Sequence, residues 1–157
     1  MGAVENTETT SAMFKLQPNL KPAIAFCAAL FLVACVGETG PTLSAPDALA
    51  KSRAGEITLV DIRTPQEWRQ TGIAAGALTI DMTRKTFVEE ILRAVDGDKD
   101  TPIAIICRTG NRTTYTQKAL QESGFTQVYN VKEGMAGSGA GPGWVRRGLP
   151  LERCQTC

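Results

Sequence analysis

The chain has 157 residues, of which 43% are hydrophobic and 21% are charged, with five cysteines and no histidine. This length fits one domain that buries a sizeable core. Seventeen Lys and Arg against sixteen Asp and Glu leave a net charge of +1. A charge this small gives no strong electrostatic attraction for nucleic acid. The lack of histidine excludes Cys-His and Ser-His-Asp nucleophiles and imidazole metal sites. We expect no metal and no cofactor.

An apolar run of fourteen uncharged residues spans 23–36, after the basic residues Lys15 and Lys21. A membrane-spanning helix needs about 18 such residues or more, whereas the core of a signal peptide needs about 7–15. The run therefore predicts a signal peptide, with a second candidate start at Met13.

The signal ends in the letters LVAC, which resemble the lipobox of bacterial lipoproteins and place the lipid on Cys35. We expect a signal peptide over residues 1–34 and a lipidated tether over 35–43. The alternative is an ordinary secretory signal or an uncleaved anchor. Lipidation would hold the protein to a membrane in the bacterial cell envelope, facing the periplasm or the exterior, where thiols can oxidise.

Strand and helix patterns alternate from residue 44 to residue 151, followed by a tail over 152–157. Strands are predicted at 57–62, 77–80, 102–107 and 128–131, and 57–62 has the pattern of a buried strand. Helices are predicted at 45–53, 65–69, 86–95 and 113–123, the first capped by Ser44. This alternation favours an α/β fold with a parallel sheet. The most apolar strand, 102–107, is expected at its centre.

Cys107 ends that strand and precedes a short turn that opens a helix. In parallel α/β sheets, ligands bind beyond the carboxyl ends of the strands. Arg108 and Arg112 are permanent cations beside the thiol, and Gly110 allows successive N–H groups to face one anion. These residues predict a cysteine thiolate in an anion-binding loop, which needs no histidine.

The loop 107–113, which reads CRTGNRT, resembles the active-site loop of rhodanese-type sulfurtransferases. Other motifs of that family appear in the same order, at residues 61–68, 72–77, 124–134 and 148–150. The resemblance extends over residues 45–151. It implies a rhodanese-like fold, with a mainly parallel central sheet and helices on both faces.

The resemblance also implies that Cys107 takes sulfur from a donor such as thiosulfate and carries it as a persulfide to a thiol or another nucleophile. Arg112, with Arg108, would bind the anionic donor. Asp61 and Arg63 match a pair that braces the active-site loop. The substrate-binding residues implied in this way are Arg108, Thr109, Gly110, Asn111, Arg112 and Thr113.

Two other functions fit the same sequence. Related phosphatases and arsenate reductases share the fold and a Cys-to-Arg loop, but four residues separate Cys107 from Arg112, one fewer than in the phosphatase loop. This count favours sulfur transfer. A non-catalytic binding module is the third hypothesis, which the intact cysteine and arginine disfavour.

Cys154 and Cys157 form a C-x-x-C pair at the end of the chain. The spacing suits a redox pair or half of a metal site, and the other half is missing. A passive disulfide, a redox or sulfur-relay role with Cys107, and two unpaired thiols all remain open.

Overall fold

The computed structural model describes residues 40–155 and residue 157. The predicted signal peptide and the lipidation of Cys35 lie outside the described residues and stay predictions. Within the described part of the chain, no helix is both long and apolar enough to cross a membrane.

Five parallel strands form the central sheet, and a two-stranded antiparallel sheet lies apart from it. The strands are β1 (Thr42–Leu43), β2 (Thr58–Asp61), β3 (Ile73–Ala74), β4 (Leu78–Thr79), β5 (Ile103–Ile106), β6 (Val128–Val131) and β7 (Leu151–Glu152). The helices are α1 (Ala45–Arg53), α2 (Pro65–Thr71), α3 (Phe87–Ala94) and α4 (Asn111–Glu122). The central order is β1-β6-β5-β2-β4, and β3 pairs with β7. The predicted α/β fold with a mainly parallel sheet is confirmed.

The middle strand, β5, is buried on both faces, as expected for a parallel sheet covered by helices. Its side chains alternate between two cores. Ile103 and Ile105 pack in one core with residues of α3 and α4, including Ile91 and Leu120. Ala104 and Ile106 belong to the other core, which contains residues of α1 and Trp144. Helices therefore cover both faces of the sheet, as predicted.

The first two helices begin where the sequence provides side-chain caps. The Ser44 hydroxyl accepts a hydrogen bond from the N–H group of Asp47, which confirms the predicted start of α1. Thr64 and Glu67 form a reciprocal capping box at the start of α2. This box fixes the position of Glu67 on the first turn of a helix that borders the site described below.

Several boundaries differ from the predictions, and α2 ends at Thr71 instead of residue 69. The predicted tether contains β1, whose residues pair with β6 in parallel. The predicted tail begins with Glu152, which belongs to β7. Helix α4 begins at Asn111, two residues before the predicted start, because Gly110 adopts a left-handed conformation and turns the chain directly into the helix. Asn111 and Arg112 therefore lie in the first turn of α4 and not in the loop.

Candidate active site

Cys107 follows β5 directly and is fully buried. The segment after β6 holds the backbone of Cys107 and of the residue that follows it. The N–H of Met135 donates to the Cys107 carbonyl at 2.9 Å, and the N–H of Ala136 donates to the Arg108 carbonyl at 2.8 Å. The Cys107 Sγ and the Thr113 hydroxyl oxygen lie 3.7 Å apart. The nucleophile candidate is thus fixed from the sheet, from α4 and from the segment after β6.

Two glycines allow this close approach. Gly110 has a φ of 84°, and a Cβ built on it would lie 1.9 Å from the Lys132 carbonyl oxygen. Gly134 has a φ of 66°, and its Cβ would lie 2.6 Å from the Arg108 carbonyl oxygen. Any other residue at either position would strain the backbone and push the two segments apart. The shape of the loop therefore depends on contacts with the segment after β6.

The backbone N–H groups of residues 108 to 113 donate to no protein acceptor within residues 40–155. They precede the first helical hydrogen bond of α4, which runs from the Thr114 N–H to the Gly110 carbonyl at 3.2 Å. Helix N-termini carry a partial positive charge, and unpaired N–H groups there bind anions. The loop can therefore stabilise an anionic sulfur at Cys107.

Arg112, from the first turn of α4, makes a bidentate ion pair with Glu67 of α2. The distances are 2.8 Å from Nη1 to Oε2 and 2.5 Å from Nη2 to Oε1. The Arg112 guanidinium, helped by hydrogen bonds from Thr64, lowers the pKa of Glu67 to about 2. Glu67 in turn raises the pKa of Arg112. The predicted contact of Arg112 with a donor stays a prediction, but its charge already has a partner.

Asp61 and Arg63 form a second ion pair, which is almost completely buried. The Arg63 guanidinium also donates to the Thr71 hydroxyl at 2.6 Å and to the Gly72 carbonyl at 2.7 Å. These bonds fix the end of α2, whereas the active-site loop receives its backbone bonds from Met135 and the residue after it. The pair thus holds the end of α2, and the predicted bracing of the loop by Asp61 and Arg63 stays a prediction.

A cleft of about 320 Å³ opens beside the loop. Cys107 is buried and does not line this cleft, whereas Arg108 and Met135 do. The other lining residues are Arg63, Glu67, Gln70 and Thr71 on one side, and Ala136, Val145 and Arg146 on the other. The cleft places charged and apolar side chains next to the predicted nucleophile.

Sequence reasoning missed three residues that shape this region. Glu67 and Met135 line the cleft. Glu133 is a buried carboxylate that accepts from the N–H groups of Ala45 and Gly143 and from Arg147. Burial alone would favour protonated Glu133, but these bonds together hold its pKa below the usual value. Of these three residues, only Glu67 had a recognisable sequence signal, the Thr64-x-x-Glu67 spacing of a capping box. That spacing indicates a helix start but does not indicate the partner of Glu67.

The two tail cysteines, Cys154 and Cys157, form a disulfide. This pairing fits a passive disulfide and the oxidised form of a redox pair, and the role of the two cysteines stays a prediction. The carbonyl of Cys157 accepts a hydrogen bond from Arg69 of α2. Glu67, Gln70 and Thr71 share the cleft-facing side of that helix, and Arg69 projects about 200° away from Glu67, since each residue turns the helix by about 100°. The tail therefore contacts α2 away from the cleft.

Together, the parallel sheet, the buried cysteine at the end of its middle strand and the anion-binding loop define an α/β domain built around a cysteine site. The model of the rhodanese-like domain family matches residues 44–139, and the chain belongs to that family. A sulfurtransferase from Allochromatium vinosum is 32% identical over 96 residues, which are 61% of this chain and 78% of that protein.

Two solved structures are also similar. The polysulfide-sulfur transferase homodimer from Wolinella succinogenes is 28% identical, with a TM-score of 0.55, and the match covers 74% of this chain and 80% of that one. A Rhodopseudomonas palustris protein described as a possible tyrosine phosphatase is 25% identical, with a TM-score of 0.57, over 71% and 84% of the two chains. Similarity alone therefore leaves both reaction classes to be weighed.

Proposed function

We propose that this protein is a sulfurtransferase, which moves sulfane sulfur from an anionic donor such as thiosulfate to a thiol or another nucleophile through a persulfide on Cys107. The observation that carries the proposal is the position of Cys107 directly before the N–H groups of residues 108 to 113 at the start of α4, which have no acceptor within residues 40–155. Sulfurtransferase relatives within the rhodanese-like family support the same reaction class.

The chemistry proceeds in two sulfur transfers. The Cys107 thiolate attacks the outer sulfur of thiosulfate, a Cys–S bond to that sulfur forms, and the donor S–S bond breaks to release sulfite. The outer sulfur of the resulting persulfide is anionic, and the N–H groups of residues 108 to 113 stabilise that charge. An acceptor thiolate then attacks the outer sulfur and regenerates the Cys107 thiolate. No step requires a base with the pKa of histidine.

The Glu67–Arg112 pair disfavours the phosphatase alternative. Phosphoryl transfer needs cationic groups directed at the charge on the transferred phosphate. The Arg112 guanidinium already binds both Glu67 oxygens. Four residues separate Cys107 from Arg112, one fewer than in the related phosphatases. A compact sulfur atom suits this loop better than a tetrahedral phosphate does.

The test is mass spectrometry of the full chain after treatment with thiosulfate. We expect one added sulfur atom on the peptide that contains Cys107, removable by a thiol acceptor and absent in Cys107→Ser. Cys154→Ser serves as the matched control and should retain the added sulfur. The proposal fails if Cys107 gains no sulfur while the protein hydrolyses an aryl phosphate. A protein with neither activity would point to the binding module.

A further inference from the structure

Glu133 lies two residues before Met135 in the segment after β6, and its side chain is only 2% exposed. Its Oε1 accepts from the N–H of Ala45, at the start of α1, at 2.6 Å. Its Oε2 accepts from the N–H of Gly143 and from Nε of Arg147, both at 2.8 Å. A buried charge is costly unless it is paired and hydrogen-bonded. The carboxylate therefore joins three parts of the chain that are distant in sequence.

The carboxylate holds both ends of the segment 143–147, which packs along residues 134–136. Two backbone N–H groups of that segment and the Arg146 guanidinium donate to all three carbonyls of residues 134–136, at 2.7 to 3.1 Å. The position of residues 134–136 is thus determined by the segment that Glu133 holds.

Residues 134–136 in turn hold the active-site loop through their own N–H groups. The N–H groups of Met135 and Ala136 donate to the carbonyls of Cys107 and Arg108, at 2.9 and 2.8 Å. Two successive sets of hydrogen bonds therefore connect the buried carboxylate to the backbone of Cys107. Because the loop N–H groups have no acceptor within residues 40–155, these bonds to the loop carbonyls help to fix the direction in which they point.

Resting on the sulfurtransferase function proposed above, we propose that Glu133 is a positioning residue for the reaction of Cys107. Its carboxylate holds the segment 143–147 and, through it, the backbone of the active-site loop. The loop N–H groups then point at the anionic outer sulfur as the persulfide forms. Glu133 does not line the cleft, and it acts only through these contacts. Glutamine has the same size, but its amide would place N–H groups where the carboxylate has an oxygen.

The first measurement is amide hydrogen exchange of the full chain in the absence of any sulfur donor. The N–H of Ile62, which donates to the Ile106 carbonyl at 3.0 Å, is the internal reference in the sheet. In Glu133→Gln, the protection of the Met135 and Ala136 N–H groups relative to Ile62 should fall about tenfold, because a hydrogen bond to a charged group is of that strength. A loss of global stability alone would lower all three together and leave this ratio unchanged.

Two further variants make the exchange measurement decisive. Arg147→Met removes one of the three donors and leaves the carboxylate bound to two N–H groups, so it tests the inference even if Glu133→Gln does not fold. The same ratio should fall about threefold, since this ion pair is partly screened by solvent. Val95→Ala is the matched control, because it opens a cavity in the core at the end of α3. It should leave the ratio unchanged.

The second measurement is the rate at which Cys107 gains sulfur at saturating thiosulfate, followed by rapid quenching and mass spectrometry. The rate should fall about tenfold in Glu133→Gln, because small displacements of positioned groups slow a reaction strongly. Val95→Ala should keep the wild-type rate.

The inference is overturned if the exchange ratio is unchanged in both Glu133→Gln and Arg147→Met, or if Val95→Ala lowers it equally. It is also overturned if the ratio falls while Cys107 gains sulfur at the wild-type rate. In each of these cases, wild-type Cys107 still gains sulfur and the proposed function stands. If wild-type Cys107 gains no sulfur, the proposed function fails, and the exchange ratio alone decides whether Glu133 holds the loop.

Discussion

Two arginine–carboxylate pairs hold α2, one at its first turn and one at its last residues, and they differ in burial. In the Asp61–Arg63 pair, both side chains are at most 2% exposed. In the Glu67–Arg112 pair, the arginine is 34% and the carboxylate 22% exposed. The first pair joins residues two positions apart, whereas the second joins two helices across 45 positions. The first pair is therefore buried, although Arg63 reaches the cleft wall, and the second pair is partly exposed, with Glu67 lining the same cleft.

The difference in burial determines how easily each ion pair can separate. A buried guanidinium cannot leave its carboxylate without a large desolvation cost, so Arg63 keeps its bonds to Asp61 and to the end of α2. Solvent screens the partly exposed pair and weakens it. The Glu67–Arg112 pair can therefore respond to pH, whereas the buried pair acts as a fixed support. The predictions below test this contrast.

The largest effect is expected from Asp61→Ala. Removal of the carboxylate leaves the Arg63 charge buried without an acidic partner, which costs about 3–5 kcal/mol in the free energy of unfolding. Urea denaturation followed by circular dichroism measures this loss. The double variant Asp61→Ala with Arg63→Met should recover part of it, because the unpaired charge is gone. A loss below about 1 kcal/mol would contradict the view of the buried pair as a fixed support.

A smaller effect is expected from Glu67→Gln, which removes the charge but keeps a side-chain oxygen for the capping box. The loss should be about 1–2 kcal/mol near neutral pH, because bidentate charged bonds are strong but this pair is screened. The same urea titration measures it. Arg84→Gln is the matched control, since it removes a more exposed ion pair with Glu90.

The pH dependence of the stability loss in Glu67→Gln shows whether the loss comes from the carboxylate charge or from the altered side-chain shape. Folding lowers the pKa of Glu67 from 4.5 to about 2, so the unfolded state binds the proton first as the pH falls. The stability from the pair is complete above about pH 5 and is lost as the pH approaches 2. The difference between the wild type and Glu67→Gln should shrink over that window. A constant difference would show that the carboxylate charge is not the cause.

The central sheet and the first helix were predictable because local patterns determine them. The apolar run 102–107 has no polar position, and only the middle of a covered parallel sheet accepts such a strand. Ser44 precedes Pro46 and Asp47, which favours a helix start at that point. The position of Cys107 followed directly, because it comes after the most buried strand.

The partners of the site arginines were not predictable, because contacts distant in the sequence determine them. Glu67 has a sufficient local role in the capping box of α2, and nothing in its neighbourhood indicates a bond to Arg112. Arg146 lies in a segment without regular structure, and only the folded chain brings it to the cleft. The short strand β7 has the same origin, because its two residues pair with β3 far away in the chain.

The smallest effect, on the rate of sulfur transfer, is expected from Cys154→Ser. This variant changes the tail, which contacts the side of α2 that faces away from the cleft. The tail contacts α2 through Arg69, away from Glu67 and the cleft. The rate of sulfur transfer from preloaded Cys107 to an external thiol should therefore change by less than about twofold, because residues two positions apart on a helix do not share a face. Single-turnover quench measurements give this rate, with Cys157→Ser as the paired variant. A large slowing in both variants would instead mean that the tail leaves Arg69 and takes sulfur from Cys107, and the disulfide would then be the oxidised state of a relay.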